Sequence, residues 1–476
     1  MADRYDAVVV GSGPNGLAAA ITLAQAGRSV VVFEAASTIG GGMRSAELTL
    51  PGFVHDVCSA IHPLAKASPF FAGLGLERHG LEWIEPPVQL AHPLDDGSAA
   101  LVWRDLEQTA AGLEGDGAAY RRLIGPTVRG WNGLIGDVLA PFHIPLQPAR
   151  AFRLARFGLD ALQPARWLVR SLREPQARGL FAGAAAHSML RLGEPISGAA
   201  GIIFLSSTHA VGWPIAARGS SHLADALSAV LHEAGGEVVT DRRIEALEEL
   251  PPHRAVLFDV TPKQLLAITG AHFRDGYANR LRSYRYGPGI FKVDLALDGP
   301  IPWRNPAVAE AGTVHLGGTF EEIAAGETAV SRGRMPERPF VLLAQHSLFD
   351  ASRAPEGKHT VWAYCHVPNG STEDASEKII NQIERFAPGV RDRIIGRHVM
   401  GPAALEAYDA NYVGGDINGG RQDLGQLFTR PGIRIDPYST PDPALFICSS
   451  STPPGGGVHG MCGHHAARSA LRGVLR

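Results

Sequence analysis

The chain opens with a run of apolar residues typical of a buried strand rather than an alternating one. Residues 5–10 lead directly into a glycine-rich turn at 11–16, and an Ala- and Leu-rich stretch follows at 17–26. That stretch predicts a helix closed at Gly27, and residues 30–33 predict a second buried strand. The order strand, turn, helix and strand predicts a βαβ unit.

The later part of the chain predicts more strands than helices. Residues 222–234 form an amphipathic helical pattern closed by two glycines. Residues 290–297 alternate, so that Lys292 and Asp294 project from the face opposite to Phe291 and Val293. Further strand patterns lie at 237–240, 255–258, 340–343, 360–364 and 444–448. Ahead of all these segments, residues 85–197 predict short helical segments separated by prolines.

The first turn has the GxGxxG spacing of a dinucleotide-binding loop. Gly11 permits the tight turn, Gly13 lets the backbone approach a pyrophosphate, and Gly16 lets the helix pack on the strand. Glu34 ends the second strand at the interval expected for a carboxylate that binds a ribose diol. Strand, glycines, helix and acid therefore predict a dinucleotide site, and the remaining contacts expected at these turns come from Pro14, Asn15 and Ala35.

A second glycine group, at residues 40–45, resembles a signature of the FAD-containing amine oxidase and phytoene desaturase superfamily. The resemblance implies that Gly41 and Gly42 lie near the pyrophosphate and that Arg44 and Ser45 contact the flavin half. Gly42 stands where the signature has an arginine, so the sequence departs from the family there. The resemblance implies FAD, bound noncovalently, as the cofactor.

Two more segments resemble the same superfamily. Residues 444–467, with glycines at 455–457, resemble its last flavin segment, which implies that Gly457 and Val458 approach the ribityl chain and the pyrimidine edge of the flavin. Ile244 follows the predicted helix and strand at 222–240, and the resemblance places this position near the adenine.

Other motifs narrow the resemblance to the phytoene dehydrogenase-like branch, and within it to the bacterial relatives of pyridine nucleotide-disulfide oxidoreductase domain-containing protein 2. These motifs are at residues 51–64, 350–359 and 412–417. The implied fold is α/β, with a Rossmann-like FAD-binding domain and an α+β substrate domain that combines a mixed sheet with a helical cap. We assign the FAD-binding domain to residues 1–84, 198–262 and 431–476, the cap to 85–197 and the sheet to 263–430.

Composition and charge exclude several classes of protein. A formal net charge of −3 over 476 residues gives no basic surface for nucleic acid. Four scattered cysteines without a CxxC pair argue against a disulfide reductase and predict buried thiols. No spacing of ligands predicts a metal site. We expect neither a signal peptide nor a spanning helix, and hence a cytoplasmic protein.

One segment carries an unusual charge pattern. Residues 147–178 contain seven arginines and two acids, interleaved with apolar and aromatic residues. We interpret the segment as a helical cap with solvated arginines at the entrance for a lipophilic substrate. Peripheral contact with a membrane surface is the alternative.

The cofactor implied by the resemblance supplies most of the chemistry, so the protein must chiefly orient the substrate and exclude water. We expect an oxidoreductase that desaturates a C–C bond of a hydrophobic isoprenoid- or acyl-like substrate. The alternatives are a flavin amine or alcohol oxidase, a flavin-dependent double-bond isomerase, and a flavin-binding interaction protein with little turnover. His209 and His459 are the candidate catalytic residues. An aromatic cage near the last flavin segment would favour amine oxidation, and only Tyr438 is visible there.

Overall fold

The computed structural model describes residues 4–476. Its strands are β1 (Ala7–Val10), β2 (Val30–Phe33), β3 (Ser45–Glu47), β4 (Val54–Asp56), β5 (Trp83–Ile84), β6 (Val88–Pro93), β7 (Ala99–Val102), β8 (Ile215–Ala216), β9 (Glu237–Val239), β10 (Ala255–Phe258), β11 (Gly289–Leu297), β12 (Ala311–Leu316), β13 (Val341–Ala344), β14 (His359–Val367), β15 (Ile394–Met400) and β16 (Leu445–Ile447). Its helices are α1 (Pro14–Gln25), α2 (Pro63–Ala67), α3 (Pro69–Ala72), α4 (Leu106–Gly112), α5 (Gly117–Val138), α6 (Pro148–Ala161), α7 (Ala165–Leu168), α8 (Pro175–Ala186), α9 (Ser197–Ala210), α10 (Ser221–Glu233), α11 (Pro262–Thr269), α12 (Asp275–Arg282), α13 (Phe320–Ser331), α14 (Ser376–Phe386), α15 (Pro402–Tyr408) and α16 (Met461–Arg472).

The first sheet is parallel, in the order β16-β10-β1-β2-β9. Its central strand β1 pairs with β2 and β10 over its whole length. Apolar residues of β1 alternate between two cores, one shared with α1, α10 and α16 and the other with α11 and α12. Because helices cover both faces, these strands are continuous apolar runs, and the Rossmann-like fold expected from the sequence is confirmed.

The second sheet is mixed, in the order β15-β11-β14-β13-β12-β6-β7. Its strands pair antiparallel except for β12 and β6, which run parallel. One face packs on α14, and the other packs on the helical cap that includes α5, α8 and α9. The mixed sheet with a helical cap agrees with the fold class expected from the sequence.

The structure corrects the segment boundaries in three places. Strands β6 and β7 lie within residues 85–197, which we expected to be helical, and they extend the second sheet. Helix α9 packs with the cap rather than with the cofactor domain, whereas α11 and α12 pack on the first sheet beyond residue 262. The sequence shows that these elements are apolar but not which core each one joins.

The polar face predicted for β11 exists but is covered. Lys292 and Asp294 share a face of the strand and form an ion pair, and both side chains are fully buried. His55 and His398 approach the same carboxylate. The alternating pattern therefore describes two buried faces, one apolar and one filled by a charged cluster.

The cap contains one helix that is scarcely buried. In α6 only Ala161 is buried, although most residues of the helix are apolar. No helix within residues 4–476 is both long and apolar enough to cross a bilayer.

Candidate cofactor and substrate cavity

One large cavity joins the first sheet to the cap. Its volume is about 1240 Å³, above the ~300–1,000 Å³ of most small-molecule pockets. At one end it reaches the carboxyl ends of β1, β2 and β10, the usual ligand position in an open parallel sheet. At the other end it runs between α6, α9 and the second sheet. A nucleotide cofactor and a second molecule can therefore occupy one continuous space.

The glycine turn has the geometry expected of a phosphate-binding loop. Gly11 adopts a φ of +101° and donates its N–H to the Phe33 carbonyl at 2.8 Å. Gly16 lies so close to the Gly11 carbonyl that a Cβ could not be accommodated. Gly13 is the N-cap of α1 and has no side chain to cap the helix, and in the first turn the Gly16 N–H is taken by the Asp259 carboxyl. The start of the helix lies at the cavity wall, where its partial positive charge can act on a bound group.

An unpaired polar atom at the cavity wall is a second observation that agrees with a dinucleotide site. Asn15 lies on the cavity wall in the first turn of α1, and its Oδ1 atom is buried without a hydrogen-bond partner. Buried polar atoms are normally paired, so this oxygen marks a position where a bound group would supply the missing hydrogen bond. Pro14 and Ala35 line the same end of the cavity, and their contact with the cofactor stays a prediction.

Asp259 lies beside this turn, and the sequence did not point to it. It follows β10, and its Oδ2 accepts the Gly16 N–H at 2.8 Å. Burial is the main reason that the pKa of this carboxyl rises to about 8. The nearby Asp409 and Glu34 also raise it, while the Gly16 N–H acts in the opposite direction. The available signal was its place at the carboxyl end of a predicted parallel strand.

Glu34 lies at the expected place but is already fully engaged. Its Oε2 accepts the N–H and hydroxyl of Ser12, at 3.0 and 2.6 Å, and its Oε1 accepts the Ala36 N–H and the Arg44 guanidinium, at 2.9 and 3.0 Å. A ribose hydroxyl would have to compete with these four donors. The ribose contact of Glu34 stays a prediction, and the carboxylate also holds the two cofactor turns together.

The second glycine group divides into residues that reach the cavity and one that does not. Gly41 and Gly42 line it, and a Cβ on Gly42 would overlap the Tyr412 hydroxyl. Because of that contact, this chain has no room for the arginine of the family signature. Arg44 also lines the cavity and is almost buried, with its guanidinium 5.4 Å from the centre of the Tyr408 ring.

Ser45 requires a correction. Its hydroxyl donates to Asp56 Oδ1 at 2.7 Å and accepts the Ser221 N–H at 3.1 Å. It does not line the cavity, because its strand β3 turns its side chain towards the start of α10. The structure gives it the role of joining two segments of the cofactor domain.

The other expected cofactor residues lie at the cavity. Ile244 lines it, together with Arg242 and Arg243, which the sequence analysis did not single out. Gly457, with a φ of +127°, and Val458 line it at the opposite wall. The structure therefore brings together all three segments that resemble the FAD-containing superfamily.

The two candidate catalytic histidines have different surroundings. His459 lines the cavity, its Nδ1 accepts the Met461 N–H at 3.0 Å, and burial lowers its pKa to about 4. His209 does not line the cavity. It lies between the Tyr120 hydroxyl and the Arg104 carbonyl, at 2.8 and 3.2 Å, so the structure places it away from the cavity where the cofactor is expected.

Aromatic residues from several distant segments surround the substrate end of the cavity. Trp362 and Tyr364 face it from β14 with ring centres 5.2 Å apart. Further aromatic residues on the cavity wall include Phe204, Trp213, Tyr408 and Tyr412. Tyr438, the one aromatic residue noticed in the sequence near the last flavin segment, instead packs in the core of the first sheet. No sequence motif marks these aromatic residues, because they are far apart in the sequence and only the fold brings them to one cavity wall.

His187 is a polar residue in this apolar surrounding. Its Nε2 lies 3.0 Å from Nε2 of His315, so one of the two rings must donate the proton. Burial lowers the pKa of His187 to about 3 and that of His315 well below its usual range, and both rings are therefore neutral at pH 7. No pattern in the sequence would pair these two residues.

One of the four cysteines, Cys58, lines the cavity. All four are free and buried, and burial raises the pKa of Cys58 to about 11 and of Cys462 to about 12. Such thiols are poor nucleophiles at neutral pH. Within residues 4–476 no three His, Cys, Asp or Glu side chains are placed to hold a metal ion.

Fold and cavity together define a Rossmann-type protein with the fold of the flavin amine-oxidase-like oxidoreductases. Residues 9–72 match the family of NAD(P)-binding Rossmann-like domains. A solved structure of a putrescine oxidase variant is similar over 99% of both chains, with a TM-score of 0.62 and 15% identity.

Several curated proteins are similar in sequence. Pyridine nucleotide-disulfide oxidoreductase domain-containing protein 2 of Rattus norvegicus is 25% identical over 98% of this chain and 94% of its own length. One of the subunits of limonene dehydrogenase from Castellaniella defragrans is 32% identical over 110 residues, which are 23% of this chain and 20% of that protein. The first similarity agrees with the relatives expected from the sequence motifs.

Proposed function

We propose that the protein is an oxidoreductase that binds FAD noncovalently and desaturates a C–C bond of a hydrophobic, isoprenoid- or acyl-like substrate. The observation that carries the proposal is the continuous cavity, which runs from the glycine turn of a dinucleotide site into an apolar, aromatic chamber. Such a space suits a two-part arrangement of cofactor and substrate.

The cofactor would be held by backbone and side chains already described. Gly11, Gly13 and the start of α1 would bind the pyrophosphate, and the unpaired Oδ1 of Asn15 would accept a hydrogen bond. Ile244 would lie at the adenine, and Gly457 and Val458 at the flavin ring. When bound, FAD supplies an acceptor for a hydride from a C–H bond.

The residues of the chamber would orient an apolar molecule and exclude water. Trp213, Trp362 and Tyr364 offer large flat surfaces rather than charges. Desaturation also releases a proton. His459 lines the cavity and is the candidate to accept it, but the acceptor atom is Nδ1, so its ring would have to give up the hydrogen bond from the Met461 N–H to do so. The local similarity to part of a limonene dehydrogenase supports a hydrocarbon substrate.

Amine oxidation is the second candidate. The aromatic rings of Trp362 and Tyr364 at the cavity wall favour it, because the face of an aromatic ring attracts the cation of a protonated amine. The similarity in fold to a putrescine oxidase is in keeping with this alternative.

The test is anaerobic bleaching of the purified protein's visible flavin band. Isoprenoid or acyl donors should bleach it, and primary amines should not. Bleaching by amines alone would favour the alternative, and a protein without any flavin band would contradict both candidates.

A matched pair of variants tests the binding site separately. Gly13→Val would place a side chain against the Asp259 carboxyl, since even a Cβ would lie 2.7 Å from it, and should purify without colour. Gly276→Ala, in α12 with open space around it, should keep the colour of the wild type.

A further inference from the structure

The cap carries an exposed apolar surface at the mouth of the cavity. Its members come from the loop before α6, from α6 itself and from the segment after it. We define this mouth surface by the residues Phe142, Ile144, Leu146, Phe152, Leu159, Leu162 and Trp167. Single exposed apolar residues are ordinary on a protein, whereas a cluster of this size marks an interaction site.

The surface is concentrated on the outer side of α6 and its preceding loop. Phe152 and Leu159 are 71% and 73% exposed, and their spacing of seven residues places them on one side of the helix. Ala151, Leu154, Gly158 and Ala161 line the cavity from the other side. A helix that only bordered water would carry polar residues outside, whereas α6 exposes large apolar side chains there.

The mouth surface is continuous with the cavity interior. Phe142, Ile144 and Leu162 are exposed and also line the cavity. Phe428, from the facing loop, is half exposed and lines the same cavity. The centre of its ring lies 5.9 Å from the centre of the Phe142 ring. An apolar path therefore leads from outside the protein into the chamber.

The charges around this surface identify what covers it. Arg156, Arg166 and Arg170 are exposed beside it, and no acidic side chain in the described chain pairs with any of them. The chain as a whole is acidic, so this arginine cluster is local. Apolar residues flanked by unpaired cations match a surface of acyl chains beneath anionic headgroups.

We propose that the mouth surface docks on an anionic lipid bilayer, with Phe152 and Leu159 inserted among the acyl chains and the cavity opening towards the lipid. Arg156, Arg166 and Arg170 lie at the headgroups. A lipid-dissolved molecule then enters the chamber without crossing water. Docking on a bilayer does not depend on the proposed function. Only the entry of a lipid-dissolved substrate through the mouth rests on it.

The experiment is co-sedimentation of the full-length protein with vesicles, one set of phosphatidylcholine alone and one with phosphatidylglycerol added. The wild type should bind the anionic vesicles more strongly than the neutral ones, and added salt should weaken the binding. Phe152→Glu with Leu159→Glu should lower the partition coefficient by about tenfold or more. Neither residue lines the cavity, so the flavin band and its bleaching should be unchanged.

The matched control is Ile395→Glu with Val399→Glu. Both residues are exposed apolar positions on β15, the edge strand of the second sheet, and these changes should leave vesicle binding intact. Replacing Arg156, Arg166 and Arg170 by glutamine should abolish the preference for anionic vesicles.

Three results would overturn the proposal. They are no wild-type binding to either vesicle at low salt, equal binding by the Phe152→Glu, Leu159→Glu protein, and a wild-type dimer that this double variant turns into a monomer. The last would show that a second copy of the chain covers the surface. Binding is measured without turnover, so its failure and the failure of the redox proposal are distinguishable.

Discussion

The Asp259 carboxyl lies where a negative charge is costly. It is buried beside the first turn of α1, near Glu34 and Asp409, and it accepts the Gly16 N–H. Burial also raises the pKa of Asp409. At neutral pH a protonated Asp259 can accept the Gly16 N–H and also donate a hydrogen bond, which suits a phosphate neighbour better than a second anion would.

Asp259→Asn should therefore change the pH dependence of stability. Below about pH 4 both folded and unfolded states hold the proton, so the carboxyl has no effect. As the pH rises towards 8, the unfolded state releases a proton that the folded state keeps, which costs up to about 1.4 kcal/mol per pH unit. The asparagine lacks this cost.

We expect the melting temperature of the cofactor-free variant to exceed that of the wild type by a margin that widens from pH 5 to pH 8. Asp392→Asn, at an exposed position, is the control and should show no widening margin. A constant margin for Asp259→Asn would contradict an elevated pKa.

Glu34 and Arg44 form the second residue-level feature. Their side chains are each 9% exposed and their ion pair is 3.0 Å long. Arg44→Met leaves the carboxylate without its cation and should cost about 2–4 kcal/mol in the free energy of unfolding. Glu34→Gln with Arg44→Met removes both charges and should cost less than the sum of the single changes. Urea unfolding of the four proteins measures this coupling, and strictly additive losses would show that the pair acts as two independent residues.

At the scale of elements, the pairing of α1 and α16 fixes the cofactor turn. Gly463 of α16 lies so close to the Asn15 carbonyl that a Cβ would overlap it. The two helices meet at this glycine, and Asn15 belongs to the cavity wall. The last helix of the chain thus determines where the first turn of α1 can lie.

Gly463→Ala should separate these helices and lower the free energy of unfolding by about 1–3 kcal/mol, the usual cost of overpacking. It should also reduce the retention of flavin, because Asn15 moves with α1. Gly276→Ala, in α12 with nothing within 4 Å, is the control and should gain about 0.5–1 kcal/mol. Denaturant unfolding and the flavin content after purification check both effects, and equal stability of the two variants would contradict the close contact.

At the scale of the whole molecule, a buried charge network joins the second sheet to the short strands β4 and β8, which belong to two separate two-stranded sheets. The Arg353 guanidinium is fully buried and donates to Asp350, to Asp56 and to the Ala216 carbonyl. Burial opposes the charge of Asp56, but Arg353, His346 and the Ser220 N–H hold its pKa well below the usual range. The segment between β13 and β14 is thereby tied to β4 and β8.

Arg353→Met should destabilise the whole protein by about 3–5 kcal/mol, since it leaves buried carboxylates without their cation. A depressed carboxyl pKa contributes stability above about pH 4 that is lost as the pH falls, so the wild type should lose stability on acidification more steeply than the variant. Arg391→Met, at an exposed ion pair with Glu377, is the control and should change little. The melting temperatures of the wild type and of Arg353→Met, measured from pH 3 to pH 7, test this prediction. If both fall equally with pH, the network does not hold the carboxylates in their charged form.

The sequence by itself determined the first βαβ unit, the position of the glycine turns and the class of fold. These features depend on neighbouring residues, since an apolar run, a positive-φ glycine and a helix start are local properties. The strands at β10, β11, β13, β14 and β16 and the helix α10 were predicted within a few residues for the same reason.

Only the tertiary structure decided which side chains meet. Asp259 is 243 residues from its partner Gly16, Ser45 turned away from the cavity towards Ser221, and His209 lies between Tyr120 and Arg104. Strands β6 and β7 joined the second sheet because its edge offered unpaired backbone groups, which no local pattern reveals. Contacts between distant segments depend on how whole elements pack, and the aromatic chamber and the mouth surface arise at that level.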